Sequence, residues 1–215
     1  MGFKIEVSGK YACFTRPELK VERYSYDFIT PSAARGIVEA IYWEPAIRYV
    51  IDKISVCSPI HFENIRRNEL KSKATYGNIN KVIIANEDRT QRASTILRDV
   101  HYLITYHFEP AKLGERDVTT DGKFNHGKFA DTIKRRLEKG QTYHQPYLGT
   151  REFPATVKIA TPDIEPLDIN KNFGLMLYDL EYINGTDDEI EFIPTYFVAN
   201  MVKGVIDLRN IEVLK

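Results

Sequence analysis

Two segments with apolar residues at helical spacing, separated by strand-like runs, constrain the fold of this 215-residue chain most. In residues 30–45, one apolar stripe is formed by Ala34, Ile37, Val38 and Ile41. Thr30 suits the N-cap of this helix and Pro31 its first turn. Pro45 disfavours helical geometry at the residue before it, so the sequence predicts that the helix ends there.

The second segment, residues 125–139, carries the apolar stripe Phe129, Ile133 and Leu137. Gly140 predicts its end, because glycine readily adopts the left-handed conformation that closes many helices. Lys128 would lie in the first turn, near free backbone N–H groups and the positive end of the helix dipole. That position favours an anion such as phosphate, although a lysine there is also compatible with simple solvation.

Runs rich in β-branched and aromatic residues precede and follow both helices, at residues 3–7, 48–62, 95–109 and 146–159. Residues 68–94 are mostly polar and predict a long excursion with a short hairpin at most. The order strand, helix, strand, strand, helix, strand predicts an α+β fold, a ferredoxin-like (RRM-like) βαββαβ domain, in residues 1–160. Residues 161–215 add strand-like runs and predict a smaller C-terminal β-rich region.

Charge is divided unevenly along the chain, although the formal net charge is zero. Residues 161–215 carry 11 acidic and 4 basic side chains, which leaves 19 acidic and 26 basic side chains in residues 1–160. A chain divided in this way can present one basic face, as RNA-binding domains do. Chance unevenness on a solvated surface is the alternative.

The composition favours a cytoplasmic protein with 43% hydrophobic residues and two reduced core thiols, Cys13 and Cys57. No run approaches 18 apolar residues, so no membrane-spanning helix and no membrane partner are expected. The cysteines and histidines form no zinc-ligand spacing, and "GKFNHGK" lacks the gap and the Ser/Thr of a phosphate-binding loop. The sequence therefore favours phosphate chemistry with no metal and no cofactor.

Six stretches carry a resemblance to one family: "GKYACFTRP" (9–17), "GIVEAIYWEP" (36–45), "EDRTQR" (87–92), "LRDVHY" (97–102), "HGKF" (126–129) and "YLGTREF" (147–153). Their order and spacing resemble the subtype I-C (Dvulg-type) Cas-five proteins of CRISPR systems. The resemblance covers most of residues 1–160 and is thin over the tail. It implies an endoribonuclease that cuts precursor CRISPR RNA within the repeat hairpin, without metal. It also implies a protein that stays on the crRNA 5′ handle in the Cascade complex, beside the backbone and large subunits. Target DNA within the complex is a further candidate partner.

The resemblance also implies the catalytic residues, which in this family are a tyrosine, a lysine and often a histidine. Tyr42 matches the tyrosine and Lys128 the lysine, whereas Phe129 stands where the histidine usually follows. An unperturbed phenol has a pKa of about 10, so Tyr42 is expected to orient the 2′-hydroxyl rather than to ionise. His126 is the nearest substitute, in what the sequence predicts to be a flexible loop before the helix. A mechanism that needs no histidine is the preferred alternative.

The candidate RNA-binding residues are basic, aromatic or amide side chains near these motifs: Tyr11, Phe14, Arg16, Arg35, Arg89, Gln91, Arg92, Lys134, Arg135 and Lys139. Each arginine or lysine could neutralise a phosphate, and the aromatic rings could stack on bases. A solvated surface is the alternative for each of them. Two other functions compete with cleavage: an RNA-binding scaffold that no longer cuts, and a protein-interaction module with a basic face.

Overall fold

The computed structural model describes residues 2–72, 82–112, 114, 117–120, 122–183 and 191–215. In chain order its elements are β1 (Phe3–Ala12), α1 (Pro31–Ile41), β2 (Ile47–Val56), β3 (His61–Leu70), β4 (Arg89–Pro110), α2 (His126–Lys139), β5 (Thr156–Ile159), β6 (Lys171–Ile183), β7 (Glu191–Met201) and β8 (Val205–Asp207). The architecture is a mixed arrangement of mostly antiparallel sheets and two helices. That confirms the α+β class predicted from the sequence.

The main sheet has the strand order β5-β1-β4-β2-β8, and β3 pairs with β4 outside this path. All of these pairings are antiparallel. Strands β6 and β7 form a separate two-stranded sheet. The central position therefore belongs to β4, which pairs with β1 on one side and β2 on the other.

Strand β4 is 22 residues long and serves two purposes. Its second half lies in the core, where Tyr102, Leu103, Ile104 and Tyr106 are almost completely buried. Its first half pairs with β3 in a hairpin, with Leu70 opposite Arg89 and His61 opposite Arg98. The sequence predicted a long excursion with a short hairpin over residues 68–94, whereas residues 68–70 end β3 and residues 89–94 begin β4, so this hairpin is longer than predicted. Residues 73–81 of that excursion lie outside the described part of the chain.

Helix α1 begins where its sequence predicts but ends at Ile41, three residues before Glu44, where Pro45 was predicted to end it. The Thr30 hydroxyl accepts a hydrogen bond from the Ala33 N–H at 3.3 Å, which confirms it as the N-cap. The whole predicted stripe is buried: Ala34, Ile37, Val38 and Ile41. The helix contacts β2, β6 and α2, so it lies between the main sheet and the β6–β7 hairpin.

Helix α2 is capped at both ends. The Asn125 side chain accepts a hydrogen bond from the Lys128 N–H at 3.1 Å, and Gly140 closes the helix in the left-handed conformation with φ +62°. The prediction that Gly140 ends the helix is confirmed. His126 is the first helical residue, so its predicted place in a flexible loop was wrong. The Asn125 cap was not foreseen, although asparagine is a preferred residue at this position.

The tail contributes to the same hydrophobic core as the rest of the chain. Met176 and Phe197 of the β6–β7 hairpin belong to that core, and β8 pairs with β2 in the main sheet. A boundary at residue 160 stays a prediction. Cys13 is buried, Cys57 is partly buried, and both thiols are free. Among the described residues, no helix is long and apolar enough to cross a membrane.

Candidate active site

Tyr42 lies where α1 ends and the chain turns into β2. It is the C-cap of α1, in an extended conformation, and its carbonyl oxygen accepts a hydrogen bond from the Tyr49 hydroxyl at 2.7 Å. The guanidinium of Arg136, from the last turn of α2, lies 5.2 Å from the centroid of the Tyr42 ring. Arg136 also donates a hydrogen bond to the Ile41 carbonyl at 2.8 Å. One arginine thus ties the end of α1 to the end of α2 and positions the tyrosine between them.

The environment of Tyr42 keeps the phenol protonated. Burial raises its pKa above the ordinary value, and the nearby carboxylate of Glu44 raises it further. The positive charges of Lys128 and Arg136 lower the pKa of Tyr42 but do not outweigh these two effects. Tyr42 is therefore a neutral hydrogen-bonding group near pH 7, next to two cations.

Lys128 lies in the first turn of α2, as its sequence position predicts. Its Nζ is 2.8 Å from Oδ1 of Asp117 and 4.9 Å from the centroid of the Phe129 ring. The hydrogen bond from Lys128 raises its own pKa and lowers that of Asp117, which also accepts from the Gly114 N–H at 2.9 Å. Lys128 therefore stays an ammonium ion, which can stabilise negative charge but cannot serve as a base.

Phe129 and His126 belong to one aromatic cluster with Phe108 and Phe124. Phe129 is fully buried and stacks on Phe124 with ring centroids 5.2 Å apart, as expected of a core residue. The half-buried ring of His126 stacks on Phe108 at 4.5 Å. Moving His126 toward a phosphate near Lys128 would break that stacking, which the sequence did not reveal.

Two residues of this site, Asp117 and Arg136, were not predicted from the sequence. Asp117, the partner of Lys128, precedes it by eleven residues, and no local pattern connects the two. Arg136 lies in the same basic run as Lys134 and Arg135, but its side chain is directed toward Tyr42 and Ile41. Helical spacing could have singled out Arg136, because it follows Ile133 by three residues and Phe129 by seven, which places it on the face of the buried stripe.

The three candidate RNA-binding residues of α2, Lys134, Arg135 and Lys139, are all exposed on the polar side of the helix. Lys134 lies 4.0 Å from Glu138 in an i,i+4 pair. Such an exposed pair holds the lysine weakly and leaves it able to contact phosphate.

The three candidates on the excursion, Arg89, Gln91 and Arg92, lie instead on strand β4. Arg89 and Gln91 are exposed on one face of the β3–β4 hairpin. Side chains alternate along a strand, so the half-buried Arg92 is on the opposite face. The three residues therefore do not form one contact surface within this hairpin.

The candidates at the end of β1 and just after it, Tyr11 within the strand and Phe14 and Arg16 beyond it, are mostly engaged within the protein. Phe14 is buried and packs edge-on against Tyr102, so its ring is a core group, not a platform for a base. Arg16 pairs with Asp27 at 3.6 Å and lies 4.5 Å from the Tyr26 ring centroid. Tyr11 is half-buried and tilted against Phe153, with part of its surface accessible.

Arg35, expected to contact RNA, is held by two carboxylates. It forms a forked pair with Asp179, in which Nη2 lies 2.8 Å from Oδ1, and its Nε lies 3.4 Å from Oε1 of Glu39. Asp179 lies 144 residues away in β6, so no local sequence pattern predicts this contact. With two carboxylates around one guanidinium, this position does not offer a free positive charge to phosphate.

Comparison with known proteins agrees with the motifs. The Cas5d family model, described as CRISPR-associated protein (Cas_Cas5), matches residues 2–209. The CRISPR pre-crRNA endoribonuclease Cas5d of Mannheimia succiniciproducens is 42% identical, over 95% of this chain and 93% of its own. The protein of the same name from Thermus thermophilus is 41% identical, over 84% of this chain and 73% of its own.

Among solved structures, a functionally uncharacterized protein from Streptococcus mutans has a TM-score of 0.67 at 22% identity. The match covers 98% of this chain and 93% of that one, which supports the fold alone. The family model spans both the Tyr42 and the Lys128 segments, and the two relatives cover 95% and 84% of this chain. The chain belongs to the Cas5d family of CRISPR-associated proteins.

Proposed function

We propose that this protein is a metal-independent endoribonuclease that cleaves precursor CRISPR RNA within its repeat. We further propose that it stays on the crRNA 5′ handle as a subunit of Cascade, beside the backbone and large subunits. The names of the two relatives, at 41% and 42% identity, support the substrate and the reaction. The observation that carries the proposal for this chain is the position of Tyr42, whose ring centroid lies 5.2 Å from the Arg136 guanidinium and whose pKa the Lys128 ammonium also lowers.

The proposed reaction uses the nucleophile that RNA itself carries, the 2′-hydroxyl beside the scissile phosphate. Tyr42 orients this hydroxyl by a hydrogen bond, and the Lys128 ammonium stabilises the charge that gathers on the phosphorane oxygens. The backbone N–H groups of the first turn of α2 favour the same anion. Solvent accepts the proton of the 2′-hydroxyl, the bond from phosphorus to the 5′-oxygen breaks, and that oxygen takes a proton from water, which leaves a 2′,3′-cyclic phosphate and a free 5′-hydroxyl.

The proposed fold of residues 1–160 is ferredoxin-like. Its support is the strand order β5-β1-β4-β2, together with α1 following β1 and α2 following β4. In that arrangement the hairpin of β3 and the first half of β4 is an extension of the third strand of the motif. Domains of this type bind single-stranded RNA, which agrees with the proposed substrate.

Incubation of the purified protein with its repeat RNA in excess chelator tests the proposal. A single discrete cut within the repeat is expected. Intact RNA that is nevertheless bound tightly and selectively would instead favour the second candidate function, a Cas-five scaffold that no longer cuts. Phe129, at the position where the family often has a histidine, is the observation that keeps this second candidate in view.

A further inference from the structure

An aromatic groove lies on the side of α1 that faces away from the main sheet. Its lining residues are Gly36, Glu39, Trp43, Tyr143, His144 and Tyr147, and its volume is about 380 Å³. That volume is within the range of small-ligand sites. Trp43 is 53% exposed and Tyr143 is 67% exposed, which is unusual for such large rings. Trp43 directly follows Tyr42, so the groove adjoins the candidate active site.

Backbone hydrogen bonds hold together the two segments that line the groove, the end of α1 and residues 143–147. The N–H groups of Tyr143 and His144 both donate to the Ala40 carbonyl in the last turn of α1, at 2.7 and 3.3 Å. This attaches the segment after α2 to the end of α1. The rings of His144 and Tyr147 are nearly parallel, 26° apart, with centroids 6.3 Å from each other. A flat ligand would therefore meet aromatic faces that are already positioned.

Gly36 forms part of the groove, and none of the described residues packs so closely against it that a glycine is required there. It lies in the middle of α1, where glycine is the least favourable residue except proline. A Cβ at this position would meet no atom within 4 Å, so internal packing does not require its absence. Gly36 lines both this groove and the neighbouring cavity around Arg35, which has a volume of about 400 Å³. A ligand that approaches the helix backbone closely would account for the glycine.

The charges beside the groove favour a base over a phosphate. The guanidinium of Arg35 is shared between Asp179 and Glu39, so this cluster has one more carboxylate than cation. Such a surface repels phosphate, whereas a carboxylate can accept hydrogen bonds from the amino or imino groups of a base. Aromatic platforms for unpaired bases are the usual way in which proteins read single-stranded RNA.

From these four observations we propose that the groove binds an unpaired RNA base that flanks the cleavage site. Trp43 and Tyr143 stack on the base, Gly36 leaves room for it, and Glu39 accepts a hydrogen bond from its edge. The proposal deepens the proposed function, on which it rests for the class of ligand. It assigns the base contact to the groove and the phosphate contact to Lys128 and the start of α2.

A double-mutant test measures this contact. The probes are repeat RNAs that each lack one unpaired base, with a 2′-deoxy nucleotide at the cut to prevent cleavage. With the wild-type protein, one or two abasic positions are expected to weaken affinity by about 5- to 100-fold, the range of aromatic stacking. With Trp43→Ala, affinity for intact RNA falls by a similar factor, and the abasic change then adds less than about twofold. Phe192→Ala, which removes an exposed ring of β7, is the matched control and should leave both values unchanged.

Gly36→Leu distinguishes a role of Gly36 in RNA binding from a role in the stability of the fold. Leucine is a far better helix former than glycine, so the protein should unfold at the same or a higher urea concentration. Affinity for intact RNA should nevertheless fall at least fivefold, and the abasic penalty should disappear.

Two results would overturn the inference and leave the proposed function standing. One is cleavage and affinity at wild-type levels in both groove variants. The other is a loss of affinity in Trp43→Ala that is equal for every abasic RNA. If the variants only impair assembly with other Cascade proteins, the groove binds a protein and the inference is wrong. A wild-type protein that binds repeat RNA but does not cut it would contradict the proposed function alone.

Discussion

At the scale of single residues, the protonation states of Tyr42 and Lys128 define what each can do. Burial and Glu44 keep Tyr42 neutral, and Asp117 keeps Lys128 cationic. A neutral phenol can both donate and accept a hydrogen bond, which suits the alignment of a 2′-hydroxyl. An ammonium ion in the first turn of a helix suits the stabilisation of an anionic phosphorane.

Tyr42→Phe removes only the phenolic oxygen and should slow single-turnover cleavage by tenfold or more, or at least ~1.4 kcal/mol in barrier height. RNA affinity should remain nearly unchanged, because the ring and its contact with Arg136 are retained. Tyr24→Phe removes the same oxygen from a 39%-exposed tyrosine outside the site and serves as the control. Cleavage by Tyr42→Phe at the wild-type rate would mean that the site has been placed wrongly.

Lys128→Ala should reduce the cleavage rate by roughly 10²- to 10³-fold, as does the loss of one donor to a developing oxyanion. The matched control is Lys134→Ala, another exposed lysine of α2 that also has an acidic partner. That variant should weaken RNA binding and leave the rate at saturating protein unchanged. Equal loss of rate in the two variants would indicate a general effect of charge instead of a catalytic role for Lys128.

The pH dependence of cleavage distinguishes Tyr42 from His126. The pKa of Tyr42 is raised, so the phenol stays protonated across the neutral range and the rate follows the ionised fraction of the 2′-hydroxyl, which rises about tenfold per pH unit. The rate should therefore increase steadily between about pH 6 and pH 9, without an inflection near neutrality. His126→Ala should leave this profile unchanged. An inflection near pH 7 that disappears in His126→Ala would make the histidine catalytic.

At the scale of elements, both helices could be predicted because their signals are local. The stripe of α1, its Thr30 cap and the Gly140 that ends α2 all depend on residues within one or two turns. The long first half of β4 could not be predicted in the same way. Both strands of its hairpin are polar and largely solvent-exposed, so the alternation of apolar residues that identifies a strand is missing.

The long-range contacts that shape the site could not be predicted from local sequence patterns either. Asp179 reaches Arg35 from 144 residues away, and Arg136 reaches Ile41 from 95 residues away. The family resemblance identified Tyr42 and Lys128, but only the fold relates them to Asp117, Glu44 and Arg136. Neither the stacking of His126 on Phe108 nor the neutralisation of Arg35 has a sequence signal.

Two glycines on different helices should respond to alanine with opposite signs. Gly140 has φ +62°, which is strained for any residue with a Cβ, so Gly140→Ala should reduce the free energy of unfolding by about 1 kcal/mol. Gly36 is an ordinary helical residue with open space around it, so Gly36→Ala should increase the free energy by about 0.5–1 kcal/mol. Urea unfolding of both variants measures the difference. A loss of stability in Gly36→Ala would show that this glycine has a packing role in the fold.

At the scale of the whole molecule, the basic part of the sequence, residues 1–160, and the acidic tail, residues 161–215, contribute to one hydrophobic core. The tail has 11 acidic and 4 basic side chains, an excess of 7 negative charges. Its Asp179 pairs with Arg35 of α1, and its strand β8 joins the main sheet beside β2. Asp179 of the tail neutralises Arg35 on α1, whereas Lys128, which pairs with Asp117, and the exposed cations lie on α2. This separation assigns phosphate to one surface and a base to the other.

The chemistry of the cut directly tests the proposed reaction, in which the 2′-hydroxyl of the RNA attacks the scissile phosphate without metal. One repeat RNA is prepared with a single 2′-deoxy nucleotide immediately 5′ to the scissile phosphate and compared with the all-ribose RNA, both in EDTA. We expect the all-ribose RNA to be cut to leave a 2′,3′-cyclic phosphate and the 2′-deoxy RNA to be bound but not cut. Cleavage of the 2′-deoxy RNA, or a cut that requires magnesium and leaves a 3′-hydroxyl, would contradict it.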